Sequence, residues 1–151
     1  MVLVHLISAS LLLLITTFLV FYRIEEQWPS LHRISGRIVL LTGILALIPS
    51  GYYLSYFALG GLAGKLLFSL LTSLSLISLI NIYRQAIQRS FHAHRKWVIR
   101  FYIFLTSALW LRLNMFIIFY HFGSTEKNYL IAAVLSWVPQ LLIFEFINRR
   151  K

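Results

Sequence analysis

Hydrophobic residues fall into five runs along this chain, over residues 2–22, 38–58, 66–83, 101–120 and 129–147, with polar residues collected between them. Each run is about 20 residues long, enough for a helix to cross ~30 Å of hydrocarbon. The pattern predicts an all-α fold, a polytopic bundle of five transmembrane helices. No segment outside the runs is long enough to build a second folded unit, so residues 1–151 read as a single integral membrane domain. The second and third runs join through Gly60, Gly61 and Gly64, and the fourth and fifth through the polar stretch 121–128. Pro29 suits the first turn of a helix, so the second helix is expected to begin well before the hydrocarbon.

Composition agrees with this reading. Hydrophobic residues make up 60% of the chain and charged residues only 12%, outside the range of ordinary soluble domains. There is no cysteine, which excludes disulfides, thiolate metal sites and cysteine nucleophiles. The first run lacks a basic leader and a small-residue cleavage site, so it is expected to be a retained helix rather than a cleaved signal.

Charge predicts the orientation. Eleven of the fourteen Lys and Arg residues fall on one side of the expected membrane: Arg23, Arg33, Arg37, Arg84, Arg89, Arg95, Lys96, Arg100, Arg149, Arg150 and Lys151. Only Lys65 and Lys127 fall on the other. Short basic loops stay in the cytoplasm, which puts the N-terminus outside and the C-terminus inside. Tyr22, Trp28, Tyr83 and Trp97 then mark the inner interface, and Tyr56, Tyr120 and Tyr129 the outer one. The net charge of +10 is accounted for by loops lying against an anionic leaflet, and no element is free to enter a nucleic-acid groove. The expected partners are anionic lipids and a membrane protein, either a second copy or another chain.

The remaining basic residue, Arg112, lies inside the fourth run, roughly 17 Å from its inner end. A charge there costs at least ~2.5 kcal/mol, so the side chain is expected to face protein or water. The four carboxylates, Glu25, Glu26, Glu126 and Glu145, all fall nearer an interface. Polar groups at the depth of Arg112 include Ser50 and its neighbours beside Pro49, Ser69 and Thr72, and Ser136 and Gln140 beside Pro139. They offer hydroxyls and a carbonyl freed by proline. The alternative is an anionic or carbonyl-bearing ligand in the bundle, such as a quinone or the acid group of a cofactor.

His32 and His94 each precede a run on the same expected side, amid Arg33, Arg37, Arg95, Lys96 and Arg100. Imidazoles from two helices ringed by arginines suit axial ligation of a haem whose propionates the arginines take. The plainer reading is interfacial histidine among solvated charges. The cofactor-binding candidates are therefore His32, Arg37, His94 and Arg112, with His32 and His94 as metal ligands to haem b and no catalytic residue. His94 and Arg112 share one face if their helix is continuous. Gly43, Ala46, Ser50 and Gly51 form a small-residue stripe that admits a close helix or a flat ligand. His5 and His121 mark a conceivable outer site, but His94 and His121 lie about 40 Å apart along one helix, too far for a two-haem relay.

The segment 31–120 resembles a bacterial membrane-protein family, domain of unknown function 2306. The resemblance rests on His32-Arg33-x-x-Gly36-Arg37, Ser50-Gly51, Gly60-Gly61, His94-Arg95-Lys96-Trp97-Val98-Ile99-Arg100 and Arg112. Val98 stands where that family is expected to carry Met. The resemblance implies a multi-helix protein of the bacterial inner membrane, groups His32, His94 and Arg112, and implies no activity.

Three functions follow in order. The first is a small b-type haem- or quinone-linked redox protein with its site on the cytoplasmic side between the second and fourth helices. The second is a non-catalytic module that binds anionic lipid or a partner through its basic loops. The third is a transporter, which the absence of Asp and of a deep carboxylate disfavours. A hydrolase is least favoured, since no Ser–His–Asp set or zinc-protease spacing is present.

Overall fold

The computed structural model describes residues 1–22 and 24–149; Arg23, Arg150 and Lys151, counted above among the basic residues, lie outside them. Among the described residues, five helical spans are long and apolar enough to cross a membrane: Val2–Phe21, Pro29–Tyr56, Gly61–Ile87, Phe91–Phe122 and Glu126–Arg149. All but the first begin before their apolar runs, and the second does begin at Pro29. The helical elements are α1 (Val2–Phe21), α2 (Ile24–Gln27), α3 (Pro29–Thr42), α4 (Ile48–Tyr56), α5 (Gly61–Ile87), α6 (Phe91–Phe122), α7 (Glu126–Leu135) and α8 (Val138–Arg149).

Two spans are interrupted, each next to a proline. Between α3 and α4 the chain makes a π-helical turn over Gly43–Leu47, and Ile48 N–H bonds the Gly43 carbonyl. Pro49 has no N–H to give the preceding turn. One residue on, the Ser50 hydroxyl donates to the Ala46 carbonyl at 2.5 Å. The fifth span breaks at Ser136 and Trp137, just before Pro139, with the Ser136 hydroxyl donating to the Ala133 carbonyl at 2.6 Å.

The core joins the first four spans through Leu12, Val39, Leu47, Ile48, Leu79, Ile82, Phe101 and Leu105. The fifth span docks beside it, with Trp137 edge-on to Phe104 at 6.1 Å. Lipid is as apolar as a leucine core, so spans are held together by close packing more than by hydrophobic burial. The small-residue stripe on the second span serves that end. A Cβ on Gly43 would sit 2.7 Å from Leu79 Cδ1, and one on Gly51 would sit 3.0 Å from Thr72 Oγ1. The stripe therefore meets α5, and the close partner is a helix rather than a flat ligand.

Local chemistry sets the turns. After α5, Ser90 N–H bonds the Gln85 carbonyl at 3.0 Å and Arg89 N–H the Ala86 carbonyl at 3.2 Å, with Arg89 at φ 55°. That is a Schellman ending with arginine where glycine is usual. Between α6 and α7, the Asn128 amide donates to the Phe122 and Gly123 carbonyls, while the Thr125 hydroxyl accepts from Asn128 N–H. One end of each helix is thus capped by the same short loop.

Candidate functional site

The α5–α6 turn carries His94 into contact with α5. Its Nδ1 donates to the Ile82 carbonyl at 3.0 Å. A carbonyl has two lone pairs, so Ile82 can accept this bond beside its helical one. The neutral imidazole then keeps its proton on Nδ1 and presents a free lone pair at Nε2. Ligating histidines are commonly oriented by such a bond to a backbone carbonyl.

His32, one turn into α3, brings its ring to 6.4 Å from that of His94, the planes crossing at 67°. Its Nδ1 is buried with no hydrogen-bond partner. The two histidines, 62 positions apart in sequence, thus meet at one end of the bundle. The rings meet at the distance of an ordinary edge-on contact.

The arginines divide. Arg33, Arg37, Arg84, Arg89 and Arg95 are exposed at the same end as the histidines. Arg100, read from sequence as one more loop charge, is instead held by Glu145. Its Nε lies 2.6 Å from Oε1 and its Nη2 3.1 Å from Oε2. The guanidinium also stacks over Trp97 at 4.4 Å. This forked pair ties α6 to α8 and removes Arg100 from the set free to take an anionic group. A lone acidic residue near the end of an apolar run was the signal for it. The partner was not readable, because the rotation of α8 sets which basic residue it meets.

Arg112 does not join the histidines. The helix is continuous from Phe91 to Phe122, so 18 residues place Arg112 about 27 Å along it from His94. Nor does it turn toward the hydroxyls beside Pro49 or Pro139. It is exposed on the side of the bundle and donates to the Ala108 carbonyl of its own helix at 3.2 Å. The buried residues of α6 are Phe101, Phe104, Leu105 and Ser107, none beyond Ser107, so the stretch that carries Arg112 is little covered.

Nor do His5 and His121 form a shared site. His121 is exposed and packs edge-on to Tyr120 at 5.0 Å. His5 turns inward to Ser50, whose proton is committed to the Ala46 carbonyl, so His5 Nδ1 donates to the Ser50 hydroxyl at 3.1 Å. Beside them lies a cavity of about 90 Å³ lined in part by His5, Gly51, Thr72, Ser75, Phe104 and Ser107. It has room for about three waters. It was not legible in the sequence, since its polar side chains come from three separate spans.

The protein family described as predicted membrane protein (DUF2306) matches residues 2–148. The chain belongs to that family. The match takes in all five spans, well beyond the 31–120 over which the motifs carried the resemblance. It makes this family member a multi-pass protein of the bacterial inner membrane. No curated protein and no solved structure matches the chain. The family's description gives the setting of its members, so the chemistry of this one must be argued from its residues.

Proposed function

We propose that the basic end of the bundle faces the cytoplasm and that His32 and His94 hold a b-type haem there, in a small redox-linked membrane protein. The observation that carries this reading is the histidine pair: one ring is fixed through Nδ1 to a backbone carbonyl, and the other stands 6.4 Å away with an unpartnered buried nitrogen. Two protein ligands are enough for haem, whose macrocycle supplies the rest. A bare zinc ion wants four, and no group of three His, Cys, Asp or Glu residues is found among the described residues. Haem would supply one-electron transfer, with a membrane quinone as the fitting redox partner. Arg33, Arg37 and Arg95 are the exposed cations for its acid groups. The orientation is supported by the excess of basic residues at that end.

The test is a reduced-minus-oxidised spectrum of full-length protein purified from haem-supplied cells. A Soret shift and an α band are expected in the wild type and lost in both His32→Gln and His94→Gln. A wild type without them overturns the haem reading.

The exposed arginines favour a second reading, in which the same end binds anionic lipid or a partner without any cofactor. Each cation near an anionic surface contributes ~1 kcal/mol. Vesicle binding that survives both histidine substitutions, but weakens on removing Arg84, Arg89 and Arg95, would support it. Arg100 does not belong in that set because Glu145 holds it.

A further inference from the structure

Arg112 is a cation near the middle of the bilayer with no carboxylate of its own chain to meet. Its depth can be read from its neighbours. The Asn114 amide reaches the Ala132 carbonyl at 3.4 Å, which levels Arg112 with about residue 134 on the antiparallel α7. Residue 134 is eight positions, or about 12 Å, from Glu126 at the start of that helix. Half of a ~30 Å hydrocarbon layer is about 15 Å. The bond to Ala108, four residues back, directs the guanidinium further toward the centre and away from the nearer surface. Lipid phosphate at that surface is therefore a poor partner.

The face around it is otherwise apolar, with Leu109, Trp110, Leu113, Phe116 and Ile117 all exposed. Lipid covers an apolar face well but leaves an arginine without acceptors beyond its own helix. The chain itself cannot supply the missing charge. Glu25 and Glu26 lie on α2 at the basic end, Glu126 opens α7 at the other, and Glu145 is paired with Arg100, about 18 Å along α6 from Arg112. A second copy docked about a two-fold axis through this face would set Arg112 against Arg112.

We propose that the Arg112 face of α6 is a docking surface for a transmembrane helix of another protein that carries an Asp or Glu near its midpoint. The carboxylate accepts the guanidinium fork, and the apolar side chains pack along the incoming helix. The inference is independent of the haem reading, because it concerns the opposite half of α6.

Synthetic leucine-rich helices are the probe. Full-length protein, labelled at an introduced Ser124→Cys in this cysteine-free chain, is reconstituted into neutral vesicles with acceptor-labelled peptides. The peptides carry a central Asp, an Asp one turn from the end, or only Leu. Energy transfer should show at least tenfold tighter binding of the central-Asp helix, and Arg112→Leu should erase that preference. Arg112→Leu removes a charge from lipid, so its thermal midpoint should not fall. If it does fall, Arg112→Lys carries the test, and a retained preference there supports the pairing. Equal binding of the three peptides, or a preference that survives Arg112→Leu, overturns the proposal. So does energy transfer between two labelled copies that vanishes in Arg112→Leu, which would assign the face to self-association.

Discussion

Breaking the Arg100–Glu145 fork should loosen the fifth span from the fourth, and the size of the effect follows from its geometry. The two contacts are 2.6 and 3.1 Å, with side chains 19% and 36% exposed. Unit charges about 4 Å apart attract by ~1 kcal/mol in water and ~4 kcal/mol at the effective dielectric of a protein surface. Partial exposure puts this pair between those limits, so a coupling of about 2 kcal/mol is expected. The assay is a double-mutant cycle on Arg100→Gln, Glu145→Gln and the double variant. Each is unfolded reversibly in mixed micelles by titration with a denaturing detergent. Arg100→Lys adds a geometric control: it keeps the charge but loses the fork and should forfeit about 1 kcal/mol. A coupling below about 0.5 kcal/mol would place the pair among ion pairs that contribute little. That result, or an Arg100→Lys variant as stable as the wild type, would refute the argument that this contact holds α8 in place.

Other outcomes follow from the turns and the packing. Arg89→Gly should raise stability by up to about 1 kcal/mol in the same titration, because φ 55° strains any residue with a Cβ. Gly64→Ala should cost about 1–3 kcal/mol, since its Cβ would collide with the Leu59 carbonyl across the hairpin and backbone cannot step aside cheaply. Single cysteines at Arg89 and Ser124 can be labelled in intact cells with a membrane-impermeant thiol reagent. The orientation proposed above expects Ser124→Cys to react from outside and Arg89→Cys only after the membrane is opened; the reverse pattern inverts it.

Much of the architecture was legible because hydropathy adds up residue by residue. Five apolar runs, Pro29 at a helix start and the basic connectors were all visible in the order of residues. The short α5–α6 turn and the antiparallel spans then carry His32 and His94 to one end. The side-chain pairings were less legible. Arg100 looked like a loop charge and proved to be the partner of Glu145. Arg112 was expected to face protein or water and faces outward. His5, grouped with His121 on the strength of depth alone, turns inward to Ser50.

The physical reason is the solvent. A helix in water reveals its buried face by an apolar stripe, because the other face must be polar. A helix in lipid is apolar all round, so length and depth can be read from sequence while rotation about the axis cannot. The chain order therefore determined how many times the protein crosses the membrane, where its charges gather and how deep each polar residue lies. Close packing at Gly43, Gly51 and Gly64, the π-helical turn before Pro49 and the fork at Glu145 decided where those residues point. That choice brought His94 against Ile82 and turned Arg112 away from the bundle.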